Sequence, residues 1–238
     1  MKDIFYTISD EVFSSFPEYV RGVVVLREGR NGPSPDELVA LLRDAEASLR
    51  ETLGEGNPAE HPRIVSWREA FRKTGVKPAE FRSSIEAMAR RVGKGQQIPS
   101  INALVDIGNV ISLRHIIPAG GHSLDDVTED LALRPATGEE TFVPFGGGGE
   151  TEHPLPGEII FAEGKVVLTR RWSWRQGEHT LTLPETKSIE FNLDGLPPVD
   201  AALVEEICME VRELAERFCG GTTRHELLTA KNRRMKLS

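Results

Sequence analysis

The sequence predicts an α+β protein, with antiparallel strands and helices packed on one side of them. Three observations carry this expectation. Between residues 34 and 111 apolar side chains recur mostly at helical spacing. From about Leu133 the period shortens to two, and short apolar runs alternate with turn residues. A last helical stretch, Ala201 to Phe218, stops at Gly220-Gly221.

In chain order, Ile4 to Ile8 and Val20 to Leu26 read as strands, with a helical turn at Glu11 to Phe16 between them. Ser34-Pro35-Asp36-Glu37 predicts a helix start, with Ser34 as the capping hydroxyl and Pro35 at the first helical position. Apolar positions 38, 41, 42, 45, 49 and 53 then share one face up to Gly54. Ser66-Trp67-Arg68-Glu69 reads as a second capping box, opening a helix to about Lys73. After Lys77-Pro78, Ile85, Met88, Ala89 and Val92 share a face, and Arg82, Glu86, Arg90 and Lys94 share another. Ser100 is the expected cap of a helix through Ala103, Leu104, Ile107 and Ile111.

The strand block is read as Thr141 to Val143, Glu158 to Ala162, Lys165 to Trp174, His179 to Leu183 and Ser188 to Leu193. Glu163-Gly164 and Gln176-Gly177 are the expected hairpin connections. The long loop from Pro144 to Gly157 holds four glycines, Gly146 to Gly149. They lack the Lys-Ser/Thr of a phosphate-binding loop and read as a mobile loop or lid. After the last helix the basic tail is expected to trail off.

No run of about 18 apolar residues occurs, which excludes a helical membrane span. The start, Met1 to Tyr6, carries Asp3 and lacks a long apolar stretch, so no secretory leader is expected. Cys208 and Cys219 fall eleven positions apart on one helix, roughly 16 Å along its axis, too far to bridge. Two free thiols make the cytoplasm the expected location. His61, His153, His179 and His225 have no metal-ligand spacing, and neither metal nor cofactor is expected.

The net charge of −8 argues against a protein that coats nucleic acid with its whole surface. Residues 63–94, however, carry a local balance of +6, and residues 222–238 one of +4. Basic patches on an acidic body suit the docking of a polyanion at one place, and equally suit plain solvated helix faces.

Three stretches resemble one family. The first is Trp67-Arg68-Glu69-Ala70-Phe71-Arg72-Lys73-Thr74-Gly75-Val76-Lys77-Pro78, leading into Phe81 to Ala87. The second runs from Ile98-Pro99-Ser100-Ile101-Asn102-Ala103 through Val105-Asp106-Ile107-Gly108-Asn109 to Leu113. The third combines Gly157 to Ile160, Arg170 to Arg175, and Thr186-Lys187. Together they are similar to free-standing B3/B4-domain proteins, whose homologous domain is the editing domain of the phenylalanyl-tRNA synthetase β subunit. The resemblance spans roughly residues 60–195. It implies a three-layered, sandwich-like B3/B4 domain over 1–198, with the helix and basic tail of 199–238 packed on it.

In the synthetase that domain binds the acyl-adenosine end of a tRNA wrongly charged with tyrosine and hydrolyses the ester. The resemblance therefore implies a trans-acting deacylase with the tRNA acceptor end as partner. A non-catalytic module for RNA or aminoacyl-adenosine, and an enzyme or sensor for a small amino-acid-like metabolite, stay open beside it. Asn109 matches an asparagine near the family's pocket, and is equally a helix-terminal cap. The family's pocket histidine falls on Gly120, and its glutamate falls near Asn192, two residues from Glu190. His115 and His122 are the candidate substitutes.

Arg114 or Arg171 would hold a phosphate bidentately. An extended strand would put Arg171, Ser173 and Arg175 on one face, and Trp172 and Trp174 on the other. The two indoles would then wall an acyl pocket or stack on adenine, or they would simply fill the core. Arg82, Arg90, Arg91 and Lys94 are the candidate RNA contacts, and ion pairs along the helix surface are their alternative reading.

Overall fold

The computed structural model of the chain describes residues 3–146 and 148–237; Met1, Lys2, Gly147 and Ser238 lie outside it, and with Gly147 part of the expected four-glycine lid. Among the described residues ten strands form two sheets. The four-stranded sheet is built on β2 (Val20–Arg27), flanked by β8 (Ile189–Gly195) and β9 (Thr222–Leu228), with β3 (Ala119–Ser123) beyond β8. The six-stranded sheet runs in the order β10 (Arg234–Lys236), β1 (Phe5–Ile8), β4 (Leu131–Pro135), β5 (Ile159–Glu163), β6 (Val166–Arg170) and β7 (Arg175–Gln176). Every pairing is antiparallel except β1 with β4. With six α-helices packed alongside, this is the α+β class the residue pattern predicts.

β2 reads as nearly continuous apolar sequence because both of its faces are covered. One face lies under α6 (Ala201–Cys219), which approaches closely over two glycines. A Cβ at Gly22 would collide with Cys208 Sγ, and one at Gly195 would come within 2.8 Å of Val204 Cγ2. On the opposite face, Arg21 shares a side with its neighbours Asn192 and Asp194 of β8. α5 (Ala103–His115) is buried on most sides, against α2 (Asp36–Leu53), α6 and β3.

Several local expectations are corrected. The hydroxyl of Ser34 does not cap α2; Pro35 takes the cap position and Ser34 donates to Asp106 Oδ2 at 2.6 Å. Ser66 lies inside α3 (Pro62–Lys73), which His61 and Pro62 open, and its hydroxyl donates to the Pro197 carbonyl. Asn102, not Ser100, caps α5 by accepting from Val105 N–H at 3.1 Å. Ser83 caps α4 (Ser84–Gly93).

The expected strand to Trp174 ends at Arg170. Arg171 and Trp172 both adopt left-handed backbone, φ 47° and 64°, and residues 171–174 turn the chain before β7. His179 to Leu183 is not a strand, and Thr141 and Phe142 make only isolated bridges, to Val166 and Glu152. Phe142 instead fills a small second core with Ala136, Ile160, Ala162 and Val167. The tail does not trail off: β9 pairs along β2 and β10 pairs with β1, so it contributes to both sheets.

Candidate functional site

A cavity of about 440 Å³ opens between the two sheets, at the end closed by α5 and the 171–174 turn. α5 supplies Gly108 and Asn109 to its wall, β3 supplies Gly120 and His122, and the turn supplies Trp172 and Trp174. Asn109 is in the middle of α5 rather than at its end, so it caps nothing. Its side-chain amide has no hydrogen-bond partner among the described residues. A partly exposed amide in a cavity wall is a free donor and acceptor for a ligand.

The floor is polar, and its charge is internally cancelled. Arg21, 2% exposed, grips Asp194 with two bonds, Nε to Oδ1 at 2.6 Å and Nη2 to Oδ2 at 2.9 Å. Its Nη1 donates to the Tyr6 hydroxyl at 2.7 Å, and Tyr6 donates to Asn192 Oδ1. Tyr19 donates to Asp194 at 2.5 Å, and Trp172 Nε1 donates to Tyr19 at 3.3 Å. Asn192 donates to Glu190 Oε1 at 3.0 Å, while Glu190 Oε2 is buried with no partner among the described residues. Burial pushes the Glu190 carboxyl up to about 8, against the pull of Arg21 and Asn192. Glu190 therefore holds a proton at neutral pH.

His122 is pinned through both ring nitrogens. Nδ1 lies 2.6 Å from Thr180 Oγ1, and Nε2 lies 3.1 Å from Thr169 Oγ1. Burial, with help from Arg21 and His179, pulls its imidazole down to about 3. It is neutral throughout the physiological range.

The two tryptophans divide the roles that the sequence leaves open. Trp172 is core: it packs edge-on against Phe16, Tyr19 and Trp67 and is 2% exposed, so only its margin reaches the cavity. Trp174 is half-buried and packs edge-on against Phe81. Arg171 is not in the cavity wall. Its guanidinium lies 3.7 Å from the Phe81 ring centroid and 4.5 Å from that of Trp174.

Other expected residues lie elsewhere. Arg114 and His115 do not line the cavity; both bind Glu210 of α6, His115 at 2.6 Å, and fasten the end of α5. Arg82 and Arg90 are drawn to Glu86, which is fully buried and also takes Arg68 at 2.6 Å. Two of the expected i,i+4 ion pairs thus form, Arg82 and Arg90 with Glu86, but around a buried carboxylate rather than along an exposed face. Arg91 donates to the Gln97 carbonyl, and Lys94 is exposed at the end of α4.

Sequence reasoning missed the braces of the cavity mouth. The buried carboxylate of Asp106 accepts from Ser34, from Ser100 at 2.5 Å and from Ile101 N–H at 3.0 Å. Asn102 Nδ2 donates to Thr182 O at 2.9 Å, and Asn31 Nδ2 to Leu183 O at 2.7 Å. The Asn102 bond ties residues 100–102 directly to 182–183 across the opening, and Asn31 holds Leu183 to the start of α5 by also accepting from Leu104 N–H. Three exposed apolar side chains, Ile101, Phe145 and Leu183, sit in the same lining.

No group of three or more metal-ligating side chains that could hold an ion occurs among the described residues, and no helix there is long and apolar enough to cross a membrane. No curated protein sequence matches the chain. A solved structure of similar shape is the N-terminal fragment of the phenylalanyl-tRNA synthetase β-subunit from Pyrococcus horikoshii, with a TM-score of 0.46 and 11% identity. The match covers 94% of this chain and 51% of that one, so the chain spans about half the fragment's length. The model of the B3/4 domain matches residues 66–237, from α3 to the last strand. That match takes in α4, α5, the tryptophan turn and every strand but β1 and β2, and the chain belongs to the B3/4 domain family.

Proposed function

We propose that the chain binds the aminoacyl-adenosine end of a mischarged tRNA in this cavity and hydrolyses its ester in trans. The observation that carries the reading is the convergence of Asn109, His122 and Trp174 on one electrically cancelled, aromatic-walled space of about 440 Å³. The resemblance to the synthetase editing domain supplies the substrate class. The two buried free thiols suit the reducing cytoplasm in which charged tRNA is found.

Within this reading Asn109 orients the attacking water, and the aromatic edge of Trp174 borders the acyl group or the adenine. His122 is not the base, because an imidazole pulled to about 3 and bonded at both nitrogens does not take a proton at neutral pH. The vicinal hydroxyl of the substrate's own ribose relays the proton, taking it from the attacking water as it gives its own to the departing ribose oxygen. The test is a panel of mischarged tRNAs: deacylation of at least one pair above its spontaneous rate supports the reading, and no acceleration on any pair removes it.

The same state of His122 favours a second reading, in which the cavity binds the charged end without turnover. Salt-dependent tRNA binding with no deacylation would select it. Saturable binding of a free amino acid with indifference to tRNA would select neither, and would assign the cavity to a small metabolite.

A further inference from the structure

Beside the cavity, the 171–174 turn docks on the first turn of α4. Ser84 N–H donates to the Ser173 carbonyl at 2.8 Å, which sets the two serine residues side by side in the cavity wall. Neither hydroxyl is used. Ser173 is 8% exposed and its Oγ has no hydrogen-bond partner; Ser84 Oγ likewise has none among the described residues.

A third donor, two residues before Ser173 in the same turn, is also unspent. Nη1 of Arg171 is buried without a partner among the described residues, although the side chain is clamped between Phe81 and Trp174. The nearest carboxylate, Glu158, stands 3.9 Å from Arg171 Nη2 and is already held by Arg170 through two bonds of 2.9 and 2.8 Å. Glu152 is likewise taken by Arg170 at 2.5 Å, with Arg175, in the cavity wall, at 3.6 Å from it. Arg82 is 3.9 Å from Glu86, which Arg68 and Arg90 hold more tightly. Burial pulls the Arg171 guanidinium below its ordinary value, a cost that an arriving anion would relieve.

The backbone here is held at a cost as well. Two consecutive non-glycine residues, Arg171 and Trp172, take left-handed φ, a conformation that costs on the order of 1–2 kcal/mol for each. Such turns persist where a site needs the side chains aimed in a particular way. The positive end of the ten-residue helix α4 adds to the local field.

We infer that Ser84, Ser173 and Arg171, at the start of α4, form a phosphate subsite that takes the 5′-phosphate of a nucleotide whose nucleoside lies in the adjoining cavity. Two hydroxyls and a guanidinium suit a tetrahedral oxyanion with several acceptor oxygens. The cavity, with Arg21 already neutralised by Asp194, has no free charge in its floor to attract such a group, so the nucleoside goes there and the phosphate to the serine corner. The inference rests on the reading of the cavity as an adenosine site.

The test compares binding of adenosine and adenosine 5′-monophosphate to the full-length chain by calorimetry at low and moderate salt. The expected result is at least tenfold tighter binding of the monophosphate, with the preference shrinking as salt rises. In the double variant Ser84→Ala, Ser173→Ala the preference should vanish while adenosine affinity stays. Arg171→Lys, which keeps the charge and removes the second nitrogen, should lose part of it. Equal affinity for the two ligands, or a preference unchanged in the serine variant, overturns the subsite and leaves the adenosine reading standing. Failure of both ligands to bind removes that reading, and the subsite with it.

Discussion

His122 and Glu190 face each other across the β3–β8 ladder, one same-face step along from the facing pair Gly120 and Asn192. The resemblance places the family's pocket histidine on Gly120 and its glutamate near Asn192. In this chain a histidine and a glutamate again oppose each other on that face, but deeper, two residues later in β3 and two residues earlier in β8. Both are buried and both are neutral near pH 7, the reverse of an exposed acid–base couple.

This pairing predicts two opposed pH effects on stability. The folded state holds the Glu190 proton up to about 8, whereas an unfolded glutamate releases it near 4.5. Its contribution is full below about 4.5 and is lost as pH rises through 8. His122 behaves oppositely: its folded value of about 3 lies below the ordinary 6.5, so its contribution is present above 6.5 and is lost as pH falls towards 3. In urea titrations across pH, Glu190→Gln should be less sensitive than wild type between pH 6.5 and 8, gaining at most about 2 kcal/mol relative to it over that interval. His122→Asn should flatten the fall below pH 6.5. Parallel curves for wild type and both variants would contradict the assignments.

At Gly120 a Cβ meets no atom within 4 Å, so the space above it belongs to the cavity. Gly120→Val should leave stability unchanged or raise it by up to about 1 kcal/mol, since a strand glycine is replaced by a strand-favouring residue. It should also weaken ligand binding at least tenfold by filling the pocket. Thermal melts and adenosine titrations check both parts.

The two tryptophans should separate cleanly. Trp172→Ala removes a core ring touching Phe16, Tyr19 and Trp67 and is expected to cost about 3–5 kcal/mol. Trp174→Ala, at a half-buried site, should cost no more than about 2 kcal/mol and lower ligand affinity in a protein that still folds. Denaturation midpoints beside binding curves give the comparison.

Glu86 sits at the centre of three guanidinium groups while fully buried. Glu86→Ala should cost about 1.5–3 kcal/mol by removing the shared acceptor of partly exposed guanidinium groups. Arg91→Ala and Lys94→Ala should leave the melting temperature within a degree or two. Any loss of tRNA affinity in that second pair, read by filter binding against salt, would report a phosphate contact rather than misfolding.

The fold class was legible because the period change near Leu133 is strong, and because α2, α5 and α6 carry long apolar faces. Boundaries failed where a side chain found a better partner than its own helix. Ser34 and Ser100 both turn to Asp106, a choice set by atoms 72 and 6 residues away. The break at Arg171 was hidden because no glycine or proline marks it; two bulky residues hold the left-handed turn. The tail reads as basic and polar, yet its alternation of exposed and half-buried positions is that of a strand completing a sheet.

Of the site, Asn109 and Trp174 were reachable through the resemblance, and His122 through its place two residues beyond Gly120. The charged floor was written in the sequence and passed over. Arg21 stands inside an otherwise apolar strand, and Glu190, Asn192 and Asp194 alternate with Ile189, Phe191 and Leu193. Such alternation ordinarily marks a solvent face. Here it marks an interior polar face, which only the second sheet reveals.

The most direct measurement is a nitrogen-15 NMR titration with a non-hydrolysable 3′-aminoacylamino-adenosine, following the side-chain amide of Asn109 and the indole N–H of Trp174. Saturable shifts of both signals at one affinity are expected, with the Asn109 shift lost in Gly120→Val. Binding that moves neither signal, or no binding at any concentration, would contradict the account.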